Sequence, residues 1–167
     1  KCALVLSPLL CEMLKSPFCQ KRYDAYLDRH IAFAQQKLQR AAGYPQEVLI
    51  RHYRDFLTQS REDFNVLYKK DILSGINSFA AKGCIELLAT SATPCFFPFY
   101  QDMPEALTVQ IEQGLISFRE DFETVPAGFW LPSMGYDTGL DRIIKSYGLD
   151  YTVLESQSFL FADRPPV

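Results

Sequence analysis

Ser133 stands in the stretch GFWLPSMGYDTGLD, Gly128–Asp141, where an apolar run gives way to a helix-like segment. A serine acts as a nucleophile only with a base to take its proton and donors to hold the oxyanion that forms. Its surroundings do not spell G-x-S-x-G, and both histidines, His30 and His52, fall in charged helical stretches elsewhere. Ser133 therefore reads as a polar turn residue leading into a helix. Carboxylates are the other candidates: Glu86 within a strand-like run, and Asp137 and Glu155 beside strand ends. Two carboxyl groups about 5–5.5 Å apart suit retaining glycoside chemistry, and a gap of about 6.5–9.5 Å suits inversion. Asp137 is more simply an N-cap, with Asp141 favoured by the helix dipole in the first turn. Glu155 stands open between a site role and a surface one. Phe96, Phe97, Phe99 and Tyr100 cluster in one loop, and Phe129, Trp130 and Tyr136 around another. Most such rings are core, but flat faces beside a polar cleft also suit stacking on sugars, and Trp130 and Tyr136 are the candidates for ligand contact.

The elements that must position these groups follow from the hydrophobic periods. Residues 2–6 read as a buried strand, and Ser7-Pro8 opens a short helix. From Pro17 to Ala42 the period is helical, with Tyr23, Tyr26, Leu27, Ile31 and Ala34 on one face. Gly43-Tyr44-Pro45 breaks it. A second helical region runs from Gln46 to Lys82 with an interruption near Asp71 or Gly75; its stripe is Leu49, Tyr53, Phe56, Leu57, Phe64, Leu67 and Tyr68. So short a turn between long helices implies an antiparallel hairpin whose stripes are core. After Gly83 the texture becomes strand, helix, strand: CIELLAT, then Pro104–Phe122, AGFWL, Thr138–Tyr147 and DYTVLE, with FLFA as a further strand. That alternation is an α/β pattern with parallel strands, either doubly wound or a (β/α) barrel. In both, ligands meet the carboxyl ends of the strands. Residues 90–94, 131–136 and 155–157 are those ends.

Composition narrows the function classes. The 167 residues, 48% hydrophobic and 14% aromatic, suffice for a core and fit one domain or a large part of one. A net charge of −3 with no basic stripe argues against nucleic acid, and no apolar run approaches a membrane span of about 18 residues. The five cysteines form no C-x-x-C pair, so they read as reduced thiols in a cytoplasmic protein, three of them in apolar surroundings as small core residues. With two histidines in all, no metal site and no cofactor is expected. Lys1 runs straight into an apolar strand without an initiator methionine, so the chain reads as cut from something longer. The oligomeric state stays open.

Taken together, GFWLPSMGYDTGLDRIIKSYGLDYTVLE resembles the nucleophile region of glycoside hydrolase family 57, which typically runs G-x-W-L-P-E-C-x-Y-x-P-G-L-D before a helix and a strand. IELLATSATPCFFPFYQDMPEALTVQIEQGL is similar to the family's earlier strand and loop, usually ending T-H-x-x-x-P-L before a helix containing a Gln. LSPLLCEML resembles the preceding strand-to-helix junction, and the hairpin over 17–82 is the insertion expected after it. The resemblance implies that residues 1–167 are a fragment of a single incomplete (β/α)7 barrel with a long inserted helical hairpin. It also implies an α-glucan or oligosaccharide as partner, as for amylases, 4-α-glucanotransferases and branching enzymes. The family retains configuration with a Glu nucleophile and an Asp acid/base.

Carried over position by position, the resemblance exposes departures. The nucleophile Glu falls on Ser133, the His of T-H falls on Pro94 beside Thr93, and Glu155-Ser156-Gln157 stands where relatives often have Asp-Thr-His. Trp130, Pro132, Tyr136, Gly139 and Asp141 match. The family's opening H-x-H would precede Lys1, and its acid/base Asp would follow Val167. Trp130, Tyr136 and Thr93 are thus expected to contact substrate, and Ser133 to mark a lost nucleophile. The expected function is a non-catalytic, α-glucan-related domain. One alternative is an active α-1,4-glucan hydrolase or transferase in the full-length parent, either retaining with a nucleophile supplied elsewhere or inverting with Glu155 as base. Another is a structural or interaction domain that presents the hairpin.

Overall fold

The computed structural model describes residues 2–160. In chain order the elements are β1 (Cys2–Val5), α1 (Pro8–Lys15), α2 (Pro17–Arg40), α3 (Glu47–Glu62), α4 (Ile72–Ala81), β2 (Ile85–Thr90), α5 (Pro104–Phe122), β3 (Gly128–Trp130), α6 (Leu140–Ser146), β4 (Tyr151–Thr152) and α7 (Ser156–Leu160). They fall into two compact units. One is helical, Glu12–Ile76; the other, up to Cys11 and from Asn77 onward, holds the four strands of the described residues.

In the helical unit, Ser16 caps α2 by accepting from the Cys19 N–H, and Pro17 occupies the first turn, where its missing N–H costs nothing. Gly43 takes φ +83°, a left-handed conformation glycine adopts freely, and donates to Glu47 Oε2 at 2.9 Å. Asp28 pairs with Arg61 at 2.7 Å and Asp24 with Asn65 at 2.9 Å, so α2 and the continuation of α3 run antiparallel. Leu27, Ile31 and Leu57 form the buried seam between them. Beyond Glu62 the helix widens into a π turn, Asp63–Leu67, then stops where Lys69 and Lys70 adopt positive φ. Lys70 binds Asp24 through its ammonium, and its carbonyl accepts from Gln20 Nε2 at 3.1 Å. Asp71 restarts the chain as α4 by accepting from the Ser74 N–H and hydroxyl. The stripe expected as core is only partly so. Leu57 and Phe64 are buried, whereas Leu49, Tyr53, Phe56 and Leu67, like Tyr23 and Tyr26 on α2, are exposed. A helix packed against one partner covers a narrower arc than its apolar stripe.

The strand unit is a parallel sheet in the order β1-β2-β3-β4. The order contains no reversal, and the strand pairs β1–β2, β2–β3 and β3–β4 are joined through helical segments. β2 is an apolar run buried from Leu87 to Thr90. α5 lays Leu107, Ile111, Leu115, Phe118 and Phe122 into the core at helical spacing. Gly114 sits on the same face, where an added Cβ would come within 2.0 Å of the Thr90 carbonyl oxygen, so helix and strand meet at a distance only glycine allows.

Several expected bounds change. DYTVLE pairs only at Tyr151–Thr152, because its partner β3 is itself three residues long. The start of FLFA belongs to α7, and the rest lies outside the described residues. Asp137 does not cap α6: its Oδ1 accepts from the adjacent Thr138 N–H at 2.6 Å, and Gly139 occupies the cap with φ +99°. Of the cysteines, Cys11 is buried, Cys19 and Cys95 are half-buried, and Cys2 and Cys84 are exposed, all as free thiols.

Candidate functional site

The carboxyl ends of β2 and β3 are joined by a polar bond: the buried Thr90 hydroxyl donates to the Trp130 carbonyl at 2.8 Å. Past Thr90 the chain turns sharply. Ser91 Oγ donates to the Thr93 carbonyl at 2.6 Å, and the Cys95 N–H reaches the same oxygen at 2.7 Å. α5 then ties the turn down. The Gln110 main-chain carbonyl accepts from the Ala92 N–H at 2.9 Å, and its side-chain Oε1 accepts from Thr93 N–H at 2.9 Å and Thr93 Oγ1 at 3.1 Å.

Past β3, Leu131 is buried and a single turn, Pro132–Met134, follows. Ser133 (φ 55°, ψ 20°) and Met134 (φ 51°) are both left-handed, a conformation in which a Cβ crowds the backbone. Gly135 ends the turn, and a Cβ there would strike the Phe96 ring at 2.5 Å. The two loops therefore touch through Phe96 and the bare Gly135 backbone. Phe96 in turn meets the exposed Phe99 edge-on, with ring centroids 4.9 Å apart, while Phe97 and Phe129 are fully buried beneath.

Each expected site residue has a definite environment. Ser133 is exposed, and its hydroxyl makes no hydrogen bond to a described residue. Both histidines belong to the helical unit, so the strand unit offers no imidazole to deprotonate it. Trp130 is half-buried and Tyr136 exposed; the Tyr136 hydroxyl donates to Asp141 Oδ1 at 3.3 Å. Partial burial, then the Asp141 charge and hydrogen bond, push the Tyr136 phenol above its ordinary range, so it stays a neutral donor. Thr93 is exposed but engaged with Gln110. Glu155 is exposed beyond β4, and its carboxylate has no partner among the described residues.

Two further titratable groups are already engaged in hydrogen bonds. Glu86 lies near the amino end of β2, where Tyr151 reaches across Gly128 to donate to its Oε1 at 2.7 Å. Burial raises the Cys95 thiol, outweighing the Ser91 hydrogen bond, which leaves it protonated and a poor nucleophile at neutral pH. No set of three or more His, Cys, Asp and Glu side chains among the described residues could hold a metal. The described rim thus offers hydrogen-bonding groups, the Asp141 carboxylate among them, beside exposed rings. A separate concavity of about 630 Å³ runs along α6 and β4, lined by Asp141, Lys145, Leu149 and Tyr151 without Ser133.

Comparison with known families matches residues 9–167 to glycosyl hydrolase family 57. The chain belongs to that family. This family 57 chain is 21% identical to the 1,4-alpha-glucan branching enzyme of Thermococcus kodakarensis, over 91% of this chain and 24% of that protein. Its fold superposes on the alpha-amylase AmyC from Thermotoga maritima with a TM-score of 0.89 and 29% identity, over 98% of this chain and 32% of that one. It also superposes on a GH57-type branching enzyme from Pyrococcus horikoshii with a TM-score of 0.88; at 18% identity that likeness concerns fold alone, over 98% of this chain and 33% of that one. The chain therefore spans about a quarter of the curated relative and about a third of these solved structures. No helix among the described residues is long and apolar enough to cross a membrane.

The residue to which sequence reasoning gave no role is Gln110, in the helix where the family pattern has a Gln. Its helix is legible from spacing, but its grip on Thr93 is not. The signal was Gln110 standing four residues, one turn, before the close-approach Gly114.

Proposed function

We propose that this family 57 chain is part of an α-glucan-binding barrel whose nucleophile position is occupied by Ser133, so that it accepts glucan without turning it over. The observation that carries the reading is Ser133 itself: exposed in the turn after β3, in the W-L-P motif, with no histidine in the strand unit. A glycosyl-enzyme ester needs a carboxylate that is ionised at neutral pH and leaves readily. A serine ether to the sugar would leave poorly, and no alkoxide forms without a base. Losing the nucleophile removes most of an enzymatic rate enhancement of about 10⁶-fold or more.

The sheet supports the barrel reading. A doubly wound sheet reverses strand order at a switch point, whereas a monotonic parallel order with right-handed crossovers keeps its helices on one face and curls toward closure. On this reading residues 1–167 belong to one incomplete (β/α)7 barrel, and 17–82 are a helical insertion within it. Trp130, Tyr136 and Thr93 line the substrate side. Free thiols suit a cytoplasmic setting.

The test uses the full-length protein with maltoheptaose. Calorimetry is expected to register binding, and chromatography no hydrolysis or transfer. Ser133→Glu alone is expected to leave turnover undetected, because Pro94 and Gln157 also depart from the family pattern. Turnover by the unaltered protein that disappears when its acid/base Asp is replaced would overturn the proposal.

A second reading has its own support. Phe18, Phe33, Leu49, Phe56 and Leu67 are exposed on the helical unit, which fits an interaction role for those helices. Under it, Leu49→Lys with Phe56→Lys changes the oligomeric state or melting temperature of the full-length protein; unchanged values for both would remove it.

A further inference from the structure

The donors and acceptors around Gln110 specify a ligand chemistry. Thr93 N–H can only donate, so the Gln110 atom facing it at 2.9 Å must be the carbonyl oxygen, which fixes the orientation of the carboxamide. The Thr93 hydroxyl spends its proton on the same oxygen at 3.1 Å, which leaves Oγ1 only acceptor capacity. Gln110 Nε2 then carries donors with no partner among the described residues, on a half-buried side chain at the strand-end rim. Because Nε2 and Oε1 share one carbon, these donors lie beside the Thr93 lone pairs.

The mount is rigid. The Gln110 carbonyl holds Ala92, and one turn along Gly114 keeps α5 against the Thr90 carbonyl. An adjacent donor and acceptor select for a group that both accepts and donates. A carboxylate or phosphate dianion has no proton for Oγ1, and an ammonium cannot accept from Nε2. A neutral hydroxyl does both.

We propose that Gln110 is a sugar-binding residue: Nε2 donates to a glucan hydroxyl whose own proton goes to Thr93 Oγ1. The proposal rests on the α-glucan reading above and adds the residue pair that would recognise the sugar. Exposed Phe99, mounted on Phe96, presents a flat face in the loop that follows Thr93.

The test measures maltoheptaose affinity in the full-length protein. Gln110→Glu keeps an acceptor for both Thr93 donors but removes the outward donors. It is expected to leave the melting temperature unchanged and to weaken binding about three- to tenfold, the worth of one neutral hydrogen bond. Thr93→Val is expected to weaken binding similarly and Thr93→Ser to retain it. In the unaltered protein, the ¹⁵N side-chain amide resonances of Gln110 should shift as maltoheptaose is added, a readout that requires no folded variant. Unaltered affinity in Gln110→Glu, or Gln110 resonances unmoved at saturation, would overturn this inference alone. A full-length protein that binds no maltoheptaose overturns the α-glucan reading and this inference with it.

Discussion

Gly114→Ala decides whether the strand-end geometry depends on the close approach of α5 to β2. Two effects of opposite sign compete. Alanine is the better helix former by about 1 kcal/mol, so propensity alone predicts a more stable protein. Sterics predict the reverse. The new Cβ would stand 2.0 Å from the Thr90 carbonyl oxygen and 3.1 Å from two further backbone carbons, where real Cβ contacts essentially never fall under 3.0 Å. Helix and strand must separate by at least about 1 Å, and no side chain can swing away to absorb it. Overpacking of this kind costs about 1–3 kcal/mol, and backbone contact puts this position at the upper end. The net is a loss of about 2 kcal/mol, or about 4–8 °C in melting temperature for a domain of this size. The same separation pulls Gln110 from Ala92 and Thr93, so maltoheptaose affinity should fall with stability. Gly75→Ala is the control. Its Cβ would meet only the Tyr68 ring, at 2.7 Å, and a ring can rotate, so helix propensity should leave stability unchanged or raise it by up to about 1 kcal/mol. Differential scanning calorimetry of both variants checks the pair. A Gly114→Ala protein as stable as the unaltered one, with glucan affinity intact, would refute the steric argument.

Two other perturbations address the site's frame. Tyr151 is pushed up to about 12 by partial burial, then by its hydrogen bond to Glu86 and that carboxylate's charge. The folded protein therefore holds this proton where the unfolded chain has lost it, and stability must fall as pH rises from about 10 toward 12. Urea melts of Tyr151→Phe should show a shallower decline over that window; an identical alkaline limb would show that Tyr151 does not contribute. Ser133 tests backbone strain. A branched side chain tolerates left-handed φ poorly, so Ser133→Val should lose about 1–2 kcal/mol, while Ser133→Gly should stay within about 0.5 kcal/mol of the unaltered protein. Equal melting temperatures for the two variants would mean the turn relaxes without cost.

The elements were legible where one period dominated. The steps from Leu107 to Phe122 gave α5, and the mostly apolar run Ile85–Thr90 gave β2, because a regular backbone turns burial into a readable pattern. The period misled on α3. It marks which residues are apolar, not which faces have a partner, and Leu49 and Phe56 are exposed although they share a stripe with Leu57. Asp137 misled for a different reason. Its side chain satisfied the N–H next door, a local bond that competes with capping at a distance fixed only by the turn.

The site was the least legible part because glycines set it at contact range. Gly114 admits the Thr90 carbonyl, Gly128 the Tyr151 ring and Gly135 the Phe96 ring, and each contact joins residues at least 23 apart in sequence. A glycine in a sequence reads as a break, and nothing local tells a break from a seat for another element. These seats bring the loops past β2 and β3 together and aim Gln110 at Thr93. Four of the groups around them are uncharged, namely a serine, a threonine, an amide and a phenol held protonated, the last against the Asp141 carboxylate. Geometry of that kind can sort hydroxyl patterns, since each group gives or takes one hydrogen bond. Retaining glycoside chemistry would ask for a carboxylate at the position where this chain has Ser133. On the reading proposed above, the W-L-P turn with Ser133 at its centre is therefore where binding without turnover should be sought in this chain.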